Sequence, residues 1–274
     1  MGSPMKKEYA VYLTLFVLGC ATTNPGTEAP KSAAGRLYQK AVEDMEDGLY
    51  PEAIAGFASV KTKFPYSKFA ALAAFSGAET ELKRGDHMQA IAKFRSFLSY
   101  HPKHHKAAEA MLKIGDAYYA QLPGNWFFMP PAAEKDQSKT KLALAAYQSL
   151  LDAHPKSEAA TEGQTKLNEC RKRLANHELY VAKFYWSRQA YPATARRAEE
   201  LLDNYGDIDF EAEVLWLAGA SYFRAGQPAR AKPHLEQLVK KYPNDSARAE
   251  AEKLLRKIDQ DATPIGNDPQ KKPS

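Results

Sequence analysis

The sequence predicts an all-α fold, a superhelix of about five antiparallel helix pairs that ends in a capping helix. Three observations predict it. An apolar pattern recurs five times along the 274 residues, its small and large residues recur at helical spacing, and residues that start or stop helices stand at its ends. The composition, 44% hydrophobic and 26% charged, is that of an ordinary globular chain.

The recurring pattern is a segment whose last residue number exceeds its first by 17. Its five copies span 48–65, 85–102, 138–155, 189–206 and 226–243. Five places after the first residue stand small residues: Ala53, Ala90, Ala143, Thr194 and Ala231. Nine places on stand Phe57, Phe94, Tyr147, Ala198 and Leu235, and twelve places on stand Val60, Phe97, Leu150, Leu201 and Leu238. Small residues let two helices approach, and the larger ones form the buried stripe.

Turn and stop residues bracket the copies. Glycine, which suits a turn between helices, opens three of them, at Gly48, Gly85 and Gly226. Proline, which stops a helix, closes four of them, at Pro65, Pro102, Pro155 and Pro243. Further helical stretches precede the copies, so each unit is a helix pair, and full units recur at 37 residues, as from Pro65 to Pro102. The pattern resembles the tetratricopeptide repeat, whose period is about 34 residues; a generic helical bundle is the alternative.

The N-terminus predicts export and a lipid anchor. Lys6 and Lys7 precede a short apolar run that ends at Cys20, the pattern of a secretory signal over residues 1–19. The sequence Val-Leu-Gly-Cys resembles the lipobox of bacterial lipoproteins, which implies lipidation of Cys20 and a flexible tether over residues 20–34. Since Ala21, and not aspartate, follows the cysteine, the resemblance implies the outer membrane, facing the periplasm. A plain secretory signal is the alternative.

The third repeat is interrupted before its second helix. The stretch from Pro123 to Thr140 carries three adjacent aromatic residues, Trp126, Phe127 and Phe128. Long loops without structure are uncommon and often functional. Two interpretations stay open: the aromatic residues fold back and cap the groove of the superhelix, or they contact a partner or peptide.

The fourth unit opens with one long predicted helix, from Glu158 to Gln189. Its apolar positions include Leu167, Leu174, Tyr180, Phe184 and Tyr185. Such a helix would hold the two halves of the superhelix together. We interpret Cys170, which lies in it, as an unpaired, semi-buried thiol rather than a nucleophile.

The end of the chain predicts a cap and a tail. The stretch from Asp245 to Ile258 is typical of a capping helix, with Asp245 or Ser246 as its N-cap. The predicted organisation is then a signal peptide, a tether, N-terminal repeats, an interrupted third repeat, C-terminal repeats with the cap, and a disordered tail, over 1–19, 20–34, 35–106, 107–157, 158–259 and 260–274.

Several functional classes find no support in the sequence. The formal charge of +5 is too small and unclustered for nucleic-acid binding. The two cysteines form no disulfide framework. The His101–His105 stretch, HPKHH, occupies a repeat junction and lacks a carboxylate or cysteine cluster at metal-ligand spacing. With no phosphate loop or nucleophile motif either, we expect no enzyme, no metal and no cofactor.

The stretch from Glu134 to Asp207 carries a family resemblance. Its motifs are LANHELYVAKFYWSRQAY and the Arg-x-Glu of RRAEELL. Together with the lipobox, the repeats and the interruption, they resemble the BamD family of outer-membrane-protein assembly lipoproteins. The resemblance implies a scaffold that binds a BamA-type barrel subunit through its periplasmic domains, receives unfolded outer-membrane proteins, and meets accessory assembly lipoproteins. Pro130, Pro131 and Lys135 depart from the family pattern, which puts the accessory contacts in doubt.

The resemblance also implies which residues meet the partners. Arg197 and Glu199, in RRAEELL, fall in the region that contacts the barrel subunit. The N-terminal repeats form the substrate groove, for which Tyr66 and Phe69 are the candidates in FPYSKFA, together with the aromatic residues of the insertion. The rival function is that of another periplasmic tetratricopeptide adaptor, because the last repeat resembles the Tol-Pal-associated division coordinator. The tether and the absence of sustained heptads favour the assembly function.

Overall fold

The computed structural model describes residues 32–124, 131–206 and 209–262. Cys20, Trp126, Phe127 and Phe128 lie outside the described residues, as do the predicted signal peptide and the residues from 263 onward. Throughout the described ranges the regular structure is helical, with eleven α-helices and one short 3-10 turn and no strand. The predicted all-α fold class is therefore confirmed.

The helices follow one another as antiparallel neighbours, each packed mainly against the one before and the one after. The 3-10 turn spans Ala132–Glu134 and packs against the seventh helix. The helices are α1 (Ala33–Glu46), α2 (Tyr50–Lys63), α3 (Lys68–Arg84), α4 (His87–Tyr100), α5 (Ala107–Tyr119), α6 (Ser138–Ala153), α7 (Glu158–Ser187), α8 (Tyr191–Tyr205), α9 (Glu211–Arg224), α10 (Pro228–Lys241) and α11 (Arg248–Ala262).

The recurring positions form the core. All five residues at the small position have no exposed surface, and the residues nine and twelve places on are at most 2% exposed. They lie on α2, α4, α6, α8 and α10, the second helix of each pair. Because equivalent residues are buried in all five units, the helical pattern inferred from the sequence is confirmed.

The long helix α7 joins two parts of the core. Its first half contributes Leu167 and Cys170 to a cluster with α3 to α6. Its second half contributes Ala175, Leu179 and Ala182 to a cluster with α8 and α9. A single continuous helix that packs into both clusters holds them together, as the sequence predicted.

The predicted turns have the expected backbone. Gly48, Gly85 and Gly226 have φ of 78°, 88° and 73°, in the left-handed region that glycine adopts without steric cost. The residues before the closing prolines share a non-helical backbone, with φ between −137° and −125° and ψ between 52° and 66°, because a following proline disfavours the helical region. These residues are Phe64, His101, His154 and Tyr242.

The fourth unit has Gln189 in place of the turn glycine, with φ 58°. A side chain in this region costs about 1–2 kcal/mol. Gln189→Gly removes this cost, but glycine gives the unfolded chain more entropy. The free energy of unfolding should therefore rise by only about 0.5–1 kcal/mol. The reverse change in the last repeat, Gly226→Gln, is the matched control and should lower it. Urea unfolding measures both; a lower midpoint for Gln189→Gly would contradict the expectation.

Several boundaries differ from the prediction. Helix α1 begins at Ala33, inside the predicted tether, and α11 runs to Ala262, past the predicted cap. Helix α7 ends at Ser187, two residues before the predicted end. Neither Asp245 nor Ser246 is the N-cap of α11, because that helix begins at Arg248; the Asp245 carboxylate instead accepts the N–H of Ala247 at 2.8 Å.

Two side chains of α7 also differ from the prediction. Cys170 is fully rather than partly buried, and burial raises the pKa of its thiol to about 11, which keeps it unreactive at neutral pH. Phe184 is 46% exposed and stands outside the buried stripe, under the guanidinium of Arg188 at 5.0 Å from the ring centroid. Across the described part of the chain, none of the helices combines the length and apolarity needed to cross a membrane.

Candidate peptide groove and docking surface

An apolar groove runs between α2 and α4, with α3 as its floor. We call it the first groove, and its volume is about 430 Å³.

 Small residues of α3 form the floor of the first groove: Ala70, Ala73, Ala74 and Gly77. Its walls carry Phe57 and Lys61 from α2, and Lys93, Phe97 and Tyr100 from α4.

The structure separates the two aromatic residues predicted for this groove. Tyr66 is fully exposed and follows Pro65, which lines the groove. Phe69 is half-buried against Tyr38 of α1, with ring centroids 5.6 Å apart, and does not line it. Its prediction as a groove residue is therefore not supported by its position.

Tyr100 is the aromatic residue that sequence reasoning missed. It lines the first groove and is 79% exposed. A large aromatic side chain that stays in solvent at the edge of an apolar groove is available to a ligand. The sequence did contain a signal for Tyr100. It is an aromatic residue outside the buried stripe, directly before His101, the residue that precedes the closing proline of its repeat.

The charged side chains that line the first groove are both lysines. Lys93 makes a short contact with Glu81 of α3, whose other oxygen lies 2.7 Å from Arg84. Lys61 makes no ion pair with any of the described residues. The groove therefore combines an apolar floor with a cationic edge.

The larger pocket lies between the 3-10 turn and α7 and has a volume of 570 Å³. Tyr119, Leu179 and Tyr180 supply apolar surface, and Arg173 supplies charge. Arg173 Nη1 donates to the carbonyl of Pro123 at 3.0 Å, so it fastens the start of the insertion to α7. Sequence reasoning did not single out this arginine, because its partner stands 50 residues away.

Arg197 lies on α8 with 35% of its side chain exposed. Its Nη1 is 3.1 Å from a carboxylate oxygen of Glu178 on α7 and 3.4 Å from one of Glu200. A guanidinium has five N–H donors, and both of these contacts use the same nitrogen. The remaining donors can reach a carboxylate of a partner.

Glu199 instead lies in a network that joins α8, α9 and α10. Its carboxylate accepts a short hydrogen bond from the Tyr222 hydroxyl and two bonds from Arg230 Nη2, at 2.9 and 3.2 Å. His234 Nε2 lies 3.4 Å away. Burial raises the pKa of Glu199, but the Tyr222 hydrogen bond and the Arg230 charge outweigh it, so the pKa lies below its ordinary value.

Glu211 forms a second network of this kind at the start of α9. Its side chain is 8% exposed and accepts hydrogen bonds from Lys241, Tyr242 and Gln237 at the end of α10. Burial raises the pKa of Glu211, but the hydrogen bonds from Lys241 and Tyr242 outweigh it, so the pKa is lowered. A buried carboxylate with these partners ties the two helices of the last pair together.

The lowered pKa of Glu211 predicts a pH dependence. A carboxylate whose pKa is lower in the folded chain stabilises it above the unfolded pKa, and this stability is lost as the pH falls through the folded pKa. Glu211→Gln should therefore lower the urea midpoint at pH 7, and the difference from the unchanged chain should shrink below about pH 4. Glu250→Gln, at an exposed position on α11, is the control. A difference that stays constant with pH would contradict the expectation.

The histidine-rich junction packs as a structural element. The rings of His101 and His104 lie 5.5 and 5.4 Å from the ring of Phe97, and the His104 and His105 rings are 4.2 Å apart. Within the described ranges, no group of three histidine, cysteine or acidic residues has the arrangement of a metal site.

The stacked helix pairs define a helical repeat protein of the tetratricopeptide type. The family model YfiO, described as outer membrane lipoprotein, matches residues 30–238. The chain belongs to this family.

Named relatives agree with this assignment. Outer membrane protein assembly factor BamD of Xylella fastidiosa (strain Temecula1) is 26% identical over 228 residues, covering 79% of this chain and 75% of the relative. BamD of Haemophilus influenzae is 27% identical over 218 residues, covering 78% of this chain and 82% of the relative. The resemblance to the BamD family is thereby confirmed. Among solved structures, the yeast Sti1 TPR2AB domain in complex with pHSP90 is similar with a TM-score of 0.42, at 14% identity over 84% of this chain and 92% of that one.

Proposed function

We propose that the protein is a non-enzymatic, periplasm-facing lipoprotein scaffold of the outer-membrane β-barrel assembly machinery. The observation that carries the proposal is the family match over residues 30–238, together with relatives that are named assembly factors. The fully buried Cys170, with its raised thiol pKa, also supports a scaffold over a thiol enzyme.

The proposal includes a lipid on Cys20 that anchors the chain in the outer membrane. Cys20→Ser should shift the protein from the membrane fraction to the soluble periplasmic fraction, because a lipid chain contributes about 0.8 kcal/mol for each buried methylene. Cys170→Ala is the matched control and should leave the protein in the membrane fraction. A Cys20 variant that stays in the outer membrane would contradict the anchor.

In the N-terminal half, the first groove receives an extended segment of an unfolded outer-membrane protein. The apolar floor offers a place for a large side chain, and Tyr66 and Tyr100 offer aromatic surface at the edge. Recognition of extended peptides by pockets for individual side chains is a recurring mode. The aromatic residues Trp126, Phe127 and Phe128 contribute to the same substrate surface in this proposal.

In the C-terminal half, Arg197 docks a BamA-type barrel subunit. Its contacts with Glu178 and Glu200 are partly exposed, and such pairs contribute only about 0–1 kcal/mol. A partner carboxylate can therefore replace one of them and form a paired contact with the guanidinium. Glu199 acts on docking by holding α8 against α9 and α10, since its carboxylate is occupied by Tyr222, Arg230 and His234.

Site-specific photo-crosslinking in living cells tests both halves. A photoreactive residue at Tyr100 should give adducts with nascent barrel proteins, and one at Arg197 should give adducts with a barrel subunit that carries periplasmic transport-associated domains. Met88, exposed on α4 but outside the first groove, is the control for Tyr100. Adducts only with cell-wall or Tol-Pal components would overturn the proposal in favour of another envelope adaptor.

A further inference from the structure

A second groove repeats the first groove one unit further along. It lies between α4 and α6 with α5 as its floor, and its volume is 230 Å³. At the 37-residue spacing of the repeats, Ala58 and Lys61 in the wall of the first groove correspond to Arg95 and Leu98 in the wall of the second. The two grooves are therefore equivalent sites on successive repeats, and the first has the larger volume.

The floors of the two grooves explain the difference in size. Residues of α3 and α5 that are 37 places apart share their burial, as Ala73 and Ala110 do at 1% and 0% exposure. At this spacing, Ala74 of the first floor corresponds to Met111 of the second. Gly77 corresponds to Ile114 in the same way. Two large side chains thus fill the space that stays open in the first groove.

Gly77 is not required by the fold of α3. An added Cβ would meet only the Cβ of Phe57, at an ordinary 3.6 Å. Glycine inside a helix costs about 0.5–1 kcal/mol relative to alanine. Gly77 therefore weakens the helix although no neighbouring side chain requires a glycine there. Its effect is to keep the floor of the first groove open.

The charged residues that line the grooves indicate the charge of the segment that binds there. The charged residues that line the two grooves are Lys61, Lys93 and Arg95, and among the described residues no aspartate or glutamate lines either groove. Lys93 is paired with Glu81, whereas Lys61 and Arg95 make no ion pair with the described residues, and these two cations complement a segment with carboxylates. The occupant is then an extended segment of a partner protein with an aromatic side chain and neighbouring acidic residues.

We propose that Ala74 and Gly77 set the side-chain size that the first groove accepts. An extended acidic segment binds with its bulky aromatic side chain in the first groove and a smaller aliphatic side chain in the second, so the grooves give it a direction. This inference rests on the proposed peptide-binding function of the first groove.

Exchanging the floors tests the inference in the full mature chain. The variant Ala74→Met with Gly77→Ile gives the first groove the floor of the second. The probe is a fluorescein-labelled peptide with one phenylalanine flanked by aspartates and a valine, compared with the same peptide carrying alanine for phenylalanine. Fluorescence anisotropy measures both affinities, and thermal unfolding checks that the variant is folded.

The unchanged chain should bind the phenylalanine peptide about tenfold more tightly than the alanine peptide. The exchanged floor should remove this preference and leave binding of the alanine peptide unaltered. If the exchanged pair does not fold, Ala74→Met alone, at a half-buried position, should still reduce the preference. A peptide that does not bind the unchanged chain overturns the proposed function of the groove, whereas a preference that survives the exchange overturns only the role of the floor.

Discussion

Replacing Gly115 with alanine should lower the free energy of unfolding by about 2 kcal/mol, because overpacking outweighs the better helix propensity of alanine. An added Cβ would meet the ring of Tyr147, with Cδ1 at 2.6 Å and Cζ at 2.8 Å. Tyr147 has no exposed surface, and its hydroxyl donates to Asp116 at 3.0 Å. The ring is therefore fixed by the surrounding core and by the hydrogen bond of its hydroxyl, and it cannot move aside.

Gly77→Ala is the matched control, since both glycines are buried inside helices. There the added Cβ meets Phe57 at 3.6 Å, and the change should raise the free energy of unfolding by about 0.5–1 kcal/mol. Urea unfolding of the two variants gives both values. If the two changes have the same sign, the close packing of Gly115 against Tyr147 is not what holds α5 and α6 together.

This contact matters for the architecture because α5 and α6 are the pair that the insertion separates. Elsewhere a short turn brings the two helices of a pair together, but here the chain leaves α5 after Tyr119 and re-enters α6 at Ser138. Close packing of Gly115 under Tyr147, with the Asp116 hydrogen bond, supplies the alignment that a turn supplies in the other units.

The repeats could be predicted from the sequence because their signal is local. Burial of one helix face requires apolar residues at helical spacing, and five copies of the same spacing make chance agreement rare. The same reasoning found the turn glycines. It placed Gln189 in the equivalent position, although the left-handed backbone of that residue was not foreseen.

The site could be predicted only in part because its contacts are distant in sequence. Tyr222, Arg230 and His234 approach Glu199 from 23 to 35 residues away, and no spacing rule connects them. Phe69 packs against Tyr38 of α1 and does not line the first groove. Spacing shows which face of a helix is buried, whereas the partner of an individual side chain depends on how distant helices meet.

Leu235→Ala should destabilise the C-terminal helices by about 3 kcal/mol, the usual cost of emptying a buried leucine site. Leu235 has no exposed surface and packs against Gly219 of α9, where an added Cβ would come within 2.6 Å of it. Its core cluster draws on α8 to α11, apart from the cluster of α3 to α7. In a repeat array each unit is stabilised mainly by its neighbours, so α9 to α11 should lose protection first.

Hydrogen exchange followed by mass spectrometry measures this loss helix by helix. We expect faster exchange in α9 to α11, weaker docking at Arg197, and unchanged peptide binding in the first groove, because α2 to α4 lie in the other half. Leu142→Ala, at a position 43% exposed on α6, is the control and should change stability by less than about 0.5 kcal/mol. Equally faster hydrogen exchange in both halves would show instead that α7 couples them into one cooperative unit. Loss of stability in one half would then weaken both docking and substrate binding.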